Sequence, residues 1–227
     1  MDYAAAATVA RNSVSGRRVR CVMCQAGGVP VLTFDQSLPW RPQRVLVAGT
    51  SGSGKTTWAS RIAHQLGVGH VEIDALYHGP NWTPRESFVE DVHALVGEEH
   101  WVTEWQYSSV RAVLASRADL MVWLDLPVAT VMRQVTMRTL RRRLRREVLW
   151  NGNREPALWT VATEPDHIVR WAWKTRRRTA ERIVALMNER PDLPVVRLTS
   201  HREARAWVAG PLAASSPGGM AYQREGA

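Results

Sequence analysis

The stretch Gly49-Thr50-Ser51-Gly52-Ser53-Gly54-Lys55-Thr56 constrains this chain more than any other. It fits the pattern G-x-x-x-x-G-K-[ST], and its flanks supply the context the pattern needs. Arg44-Val45-Leu46-Val47-Ala48 before it is short, apolar and β-branched, which predicts a buried strand. After it, Trp58, Ile62, Ala63 and Leu66 recur at helical spacing. Glycines let the backbone bend so that successive N–H groups point inward at a polyphosphate. The helix N-terminus adds free N–H groups and the positive end of its dipole. Residues 49–57, including Thr57, are therefore the candidate nucleotide-binding set. Lys55 would reach the β- and γ-phosphates, and the Thr56 hydroxyl would ligate Mg²⁺.

A length of 227 residues suits one domain with a substantial core. No apolar run approaches the roughly 20 residues needed to span a bilayer. Residues 1–28 lack the charged start and apolar stretch of a secretion signal. Cys21 and Cys24 form a single C-x-x-C with neither two further zinc ligands nor a βαβ setting, so they read as reduced thiols. A cytoplasmic protein is the expectation. The net charge of +9 suits polyanions, and much of the excess falls in two bursts, at 138–146 and 174–178.

Taken in order, residues 1–28 read as a flexible extension and 29–210 as the folded domain, with a lid at about 138–165. Residues 211–227 read as a flexible tail. Short apolar strands are predicted at 44–48, 70–73, 100–103, 119–124 and 194–198, with helices between them. Thr83-Pro84-Arg85-Glu86 resembles a capping box opening a helix over 85–96. The alternation predicts an α/β fold with a parallel sheet covered on both faces. Ligands of such folds lie at the carboxyl ends of the strands, where Gly49, Asp74, Glu104 and Asp125 all fall.

Phosphoryl transfer needs a cradle, a metal, a group that orients the acceptor, and cations for the charge on the moving group. The loop is the cradle. Thr56 is the first metal ligand, and Glu104 or Asp125 is the second, with Glu104 favoured. Asp74 could accept a hydroxyl proton or hold a hydroxyl, or could merely cap a helix or turn. Tyr77, His78 and Trp82 could stack on a ring or pack the loop onto the domain. The dense arginines Arg133, Arg138, Arg141, Arg142, Arg143, Arg145 and Arg146 suit a lid closing on phosphates, or a solvated basic helix. Arg170 and Lys174 could join them. Trp171 and Trp173 beside Arg176-Arg177-Arg178 also resemble a nucleic-acid face. His93 and His100 read as structural or exposed.

The loop, then Glu72-Ile73-Asp74-Ala75-Leu76-Tyr77, Asn81-Trp82-Thr83-Pro84, Trp123-Leu124-Asp125-Leu126-Pro127 and the run from Glu147 to Glu155 occur in that order. Together they resemble the bacterial adenylate-kinase-like P-loop proteins, often labelled DNA topology modulation proteins or ATPases. The resemblance covers roughly residues 41–210. It implies a P-loop NTPase three-layer α/β/α fold of nucleoside monophosphate kinase type, with five parallel strands ordered 2-3-1-4-5. It also implies ATP, Mg²⁺ and an arginine-rich lid. Where many relatives read Asp-Gly-Asn-Tyr, this chain reads Glu104-Trp105-Gln106-Tyr107, which sets Trp105 in place of a glycine near the acceptor. The adenylate kinase signature Asp-Gly-Phe-Pro-Arg is absent.

The expectation is an ATP- and Mg²⁺-dependent kinase acting on a small-molecule acceptor. Lys55, Asp74, Arg138 and Arg142 form the catalytic set, with Arg145, Arg146 and Arg154 as further lid candidates. Thr56 and Glu104 form the metal set. No guanine motif Asn-Lys-x-Asp occurs, which favours ATP. The alternatives are a nucleotide-regulated nucleic-acid-binding protein and a slow ATPase.

Overall fold

Alternation along a single strand divides the interior into two cores. In β2 (Arg44–Gly49), Val45 and Val47 face one side and Leu46 and Ala48 the other, and all four are fully buried. The computed structural model describes residues 31–144 and 168–215. Val45 and Val47 pack with Trp58, Ile62 and Leu66 of α1 (Lys55–Leu66) and with Val131 and Val135 of α5 (Val128–Leu144). Trp207 of α7 (His201–Trp207) completes that side. Leu46 and Ala48 pack with Phe88 and Val92 of α3 (Phe88–Gly97) and Leu114 of α4 (Arg111–Arg117). Ile183 of α6 (Ile168–Glu189) joins them. A strand buried on both faces has no polar side to alternate, which is why it reads as a continuous apolar run.

The sheet is parallel, in the order β1 (Val31–Leu32), β5 (Val195–Leu198), β4 (Leu120–Leu124), β2, β3 (Trp101–Glu104). Its arrangement is the expected three-layer α/β/α P-loop fold, but two predicted details change. The predicted strand at 70–73 shrinks to one parallel bridge, His70 to Val102, at the outer edge of β3. The reason is local. The Ile73 N–H donates to Glu104 Oε2 at 3.0 Å, so the ladder ends and α2 (Ile73–Tyr77) begins. At the opposite edge, Val31–Leu32, outside the five predicted strands, pairs with β5. The inner order β3-β2-β4-β5 is the predicted 3-1-4-5.

Two boundaries also move. The helix expected from residue 85 starts at Phe88 after Ser87, and no capping box forms. Thr83 Oγ1 donates instead to Pro80 O at 2.7 Å, closing a 3₁₀ turn over Pro80–Trp82. At the other end, a π-helical turn over Val208–Leu212 buries Leu212 completely, so the chain does not leave the domain at Gly210. No described helix is long and apolar enough to cross a membrane. Cys21, Cys24 and the extension 1–28 lie outside the described residues, as do residues 145–167, which hold most of the expected lid.

Candidate nucleotide and acceptor site

Strand register sets the geometry. Gly49 ends β2 beside Leu124 of β4, and Val47 lies beside Glu104 at the end of β3. The loop from Gly49 to Gly54 therefore rises from the centre of the sheet with Glu104 next to its base. Gly54 caps α1 in the left-handed conformation (φ 87°), and Ser53 N–H closes a turn onto Thr50 O at 3.1 Å. Ser53 is fully buried, and its Oγ is a buried polar atom with no hydrogen-bond partner. Thr57 is exposed on the rim.

Lys55 folds back across the loop, and its Nζ donates to Thr50 O at 3.2 Å. Burial of the ammonium lowers its pKa. The carboxylates of Asp74 and Glu104 act in the opposite direction, and the like charge of Arg138 adds to the lowering. The charges of Asp74, Glu104 and Arg138 thus all act on Lys55. Arg138 comes from α5, which also presses Val131 and Val135 on the loop at Gly52. Arg142 lies on α5, but its side chain is outside the described set, as are those of Arg145, Arg146, Arg154, Arg170 and Lys174. The tryptophans Trp171 and Trp173 with Arg176 and Arg177 are outside it too.

Glu104 is 1% exposed. Its Oε1 pairs with His70 Nε2 at 3.2 Å, and its Oε2 accepts from Ile73 N–H. Burial works against its charge, but hydrogen bonds from His70, the Ile73 amide and the Thr56 hydroxyl, with the nearby His70 charge, outweigh it, and the pKa is lowered. Asp125 is engaged by Arg197: its Oδ2 accepts from Arg197 Nε (2.8 Å) and Nη2 (2.5 Å), and Arg197 lies over the Trp123 ring. Of the two competing carboxylates, Glu104 is the one that touches Thr56. A hydroxyl and a carboxylate side by side are the hard oxygen donors that Mg²⁺ takes while keeping most of its water and phosphate oxygens. Among the described residues no cluster of three or more His, Cys, Asp or Glu offers an all-protein cage.

Asp74 sits on α2 rather than at a strand end. Gln106 Nε2 and Tyr107 OH both donate to its Oδ1 at 2.6 Å. Tyr107 stacks on Tyr77 (centroids 4.1 Å apart), and its hydroxyl also lies 3.3 Å from His78 Nε2. Burial, the Asp74 charge and the hydrogen bond to it push the Tyr107 phenol well up, so it remains a donor. The ring cluster extends through His78 to Trp82 and through Tyr77 to Phe88. Tyr107 holds φ 60°, a left-handed conformation that costs a non-glycine residue about 1–3 kcal/mol. Trp105 corrects the sequence expectation. It is buried with its Nε1 donating to Arg111 O at 3.1 Å, so Gln106 and Tyr107, not Trp105, face the acceptor side.

A second cluster borders the loop at Gly54. Trp58 Nε1 donates to His201 Nδ1 at 2.9 Å, while His201 Nε2 meets the Gln134 amide. Gln134 Oε1 is buried without a partner, and exchanging the amide oxygen and nitrogen lets the oxygen accept from His201 Nε2–H. His201 is then the neutral Nε2–H tautomer, accepting from Trp58 and donating to Gln134. Burial, then Arg205 and Arg61, lower its pKa. A histidine lowered in the folded state contributes stability above its unfolded value near 6.5, lost as pH falls toward the folded one. The melting temperature should therefore fall from pH 7.5 to 5 more steeply in the wild type than in His201→Gln. Parallel pH curves would refute the tautomer assignment.

Sequence reasoning named neither His70, Gln134 and His201 as partners nor Gln106 and Tyr107 as supports of Asp74. The string Glu104-Trp105-Gln106-Tyr107 was the available signal, since it follows a strand end with two hydrogen-bonding side chains. His93 and His100 are exposed, as expected.

The fold and loop define the class: a P-loop three-layer α/β/α architecture. No family profile matches the chain, and no curated protein does. Among solved structures it is similar to a gluconokinase from Sinorhizobium meliloti 1021, at 17% identity over 79% of this chain and 95% of that one, with a TM-score of 0.43. It is also similar to a shikimate kinase from Bacteroides thetaiotaomicron (14%; 74% and 95%; 0.44). A third is a sugar kinase from Janibacter sp. HTCC2649 (19%; 77% and 96%; 0.44).

Proposed function

We propose that the protein is an ATP- and Mg²⁺-dependent kinase that transfers the γ-phosphoryl group to a hydroxyl of a small-molecule acceptor. One observation carries this reading: Lys55, the Thr56–Glu104 pair, Asp74 and Arg138 converge on the mouth of a single glycine loop. The loop amides and Lys55 bind the triphosphate. Thr56 and Glu104 would hold Mg²⁺, which when bound neutralises phosphate charge. Asp74 orients the acceptor hydroxyl and takes its proton, and Arg138 meets the charge on the transferring group. His70 and the Ile73 amide keep Glu104 oriented and ionised. The nucleic-acid alternative draws on both arginine bursts, at 138–146 and 174–178, most of whose side chains lie outside the described residues.

The test is ADP release by the purified chain with ATP, with and without Mg²⁺, alongside calorimetric binding of a non-hydrolysable ATP analogue. Turnover should require Mg²⁺. Glu104→Gln keeps the shape but removes the charge, and should weaken the apparent Mg²⁺ affinity about 10- to 100-fold while analogue binding without metal changes little. An unaltered Mg²⁺ dependence in that variant would remove Glu104 from the metal set.

A further inference from the structure

Asp74 is held from one side only. Gln106 Nε2 and Tyr107 OH both bind Oδ1, and among the described residues no hydrogen bond reaches Oδ2. A carboxylate fixed in this way presents its second oxygen to a single outside donor. The backbone is bent to build the corner. The described non-glycine residues with positive φ are Asn81 (55°), Trp82 (60°) and Tyr107 (60°), and all three belong here. Strain of this kind persists where the surroundings impose it, and it gathers at ligand clamps.

The charges of the corner narrow what it can take. Arg85, the cation on the same loop, is ion-paired with Asp91 at 3.0 Å. It also donates to Ser87 Oγ (3.2 Å) and Leu76 O (3.4 Å). Lys55 feels the charges of both Asp74 and Arg138, and under the kinase reading the triphosphate takes up these two cations. An anionic substituent beside Asp74 would meet a carboxylate and a cation already committed elsewhere, whereas a hydroxyl would meet an open acceptor. At the rim, the Trp82 and His78 rings lie edge to face, with centroids 5.1 Å apart and planes at 82°, beside the Tyr107 hydroxyl. Aromatic surface next to a lone acceptor suits a ring with an apolar face and a polar edge.

We propose that this corner selects an uncharged, hydroxyl-bearing ring, a free sugar or the ribose of a nucleoside, and rejects counterparts that carry a phosphate or carboxylate. The proposal rests on the kinase reading above and names its acceptor class. The acceptor hydroxyl donates to Asp74 Oδ2. In the transfer, its oxygen forms a bond to the γ-phosphorus of ATP, and the bond from that phosphorus to the β–γ bridging oxygen breaks. The hydroxyl proton passes to Asp74 Oδ2, and ADP departs. Gln106 and Tyr107 are positioning residues, acting through Oδ1.

The experiment uses the full chain with ATP and Mg²⁺ and measures ADP release with matched pairs: adenosine and AMP, uridine and UMP, ribose and ribose 5-phosphate, glucose and glucuronate. At least one neutral member should raise ADP release about tenfold over hydrolysis in water, and its anionic counterpart should leave it at the hydrolysis rate. The nucleoside and sugar arms separate the two sources of the ring. Tyr107→Phe keeps the ring stack and deletes the hydroxyl. It should cut kcat/KM for the neutral acceptor about tenfold with KM for ATP unchanged, an effect that loss of packing would not confine to the acceptor. Asp91→Asn frees Arg85 and should raise turnover of the anionic member alone. An anionic member that equals or exceeds its neutral partner overturns the proposal. So does a panel in which nothing accelerates ADP release while Lys55-dependent hydrolysis persists, and that result leaves the nucleotide site standing. Absence of any Lys55-dependent turnover or nucleotide binding removes both readings.

Discussion

Lys55→Ala should lower ATP turnover about 10³-fold while leaving the melting temperature unchanged or slightly raised. The two halves of this expectation have one cause. In the unliganded fold the half-buried Lys55 donates to the Thr50 carbonyl at 3.2 Å, and burial is the largest influence on its pKa, lowering it. Drawing this cation out of water costs the unliganded fold, and the Asp74 and Glu104 carboxylates offset only part of that cost. Phosphate oxygens supply what is missing, so the charge becomes favourable when the nucleotide arrives and more so as charge shifts during transfer. Removing the ammonium relieves the unliganded protein and disables the liganded one, the trade expected where a site is held ready at the expense of stability. Steady-state ADP release and a thermal melt on the same preparation check both halves. Turnover within a few-fold of wild type would take Lys55 out of the mechanism. A variant that loses activity only in step with a lower melting temperature would trace the loss to unfolding.

What could be read from the chain, and what could not, follows from the range of the interactions. The loop was legible because its demands are local: each glycine, the lysine and the hydroxyl are fixed by the eight residues themselves and the strand and helix beside them. The central strands were legible because burial on both faces leaves an apolar run. The end of the predicted strand at 70–73 was not, because the group that stops it is Glu104, which takes the Ile73 N–H from 31 positions away. Val31–Leu32 escaped because two residues are too few to show a period. The candidate site divides along the same line. Asp74 and Glu104 were visible as carboxylates ending apolar segments. Gln106 and Tyr107 were not, since their role is set by a left-handed turn at Tyr107 and a carboxylate 33 residues upstream. The hold of Arg197 on Asp125 was not legible either, because the two residues come from neighbouring strands 72 positions apart.

Gly52→Ala should be the most damaging single change in the loop, and its effect should fall on stability as well as on nucleotide binding. Gly52 has φ 83°, a conformation alanine adopts only under strain. A β-carbon built there would stand 1.9 Å from Val135 Cγ2, with Val131 Cγ1 at 3.6 Å behind it. The neighbour cannot simply swing aside. Val135 is fully buried, β-branched and in mid-helix, so one side-chain rotamer dominates, and α5 would have to move outward. Backbone strain and overpacking together should cost about 3 kcal/mol, or roughly 6–12 °C in melting temperature for a domain of this size. The same displacement carries Arg138, three residues on from Val135, away from Lys55, so analogue binding should weaken even at temperatures where the variant is folded. Gly52→Ala combined with Val135→Ala separates the two contributions. Trimming Val135 opens space for the new methyl group, so the double variant should be more stable than the sum of the two single losses allows, by about 1 kcal/mol or more. Strict additivity would mean that the loop does not bear on α5 at Gly52 and that the strain at φ 83° alone sets the cost.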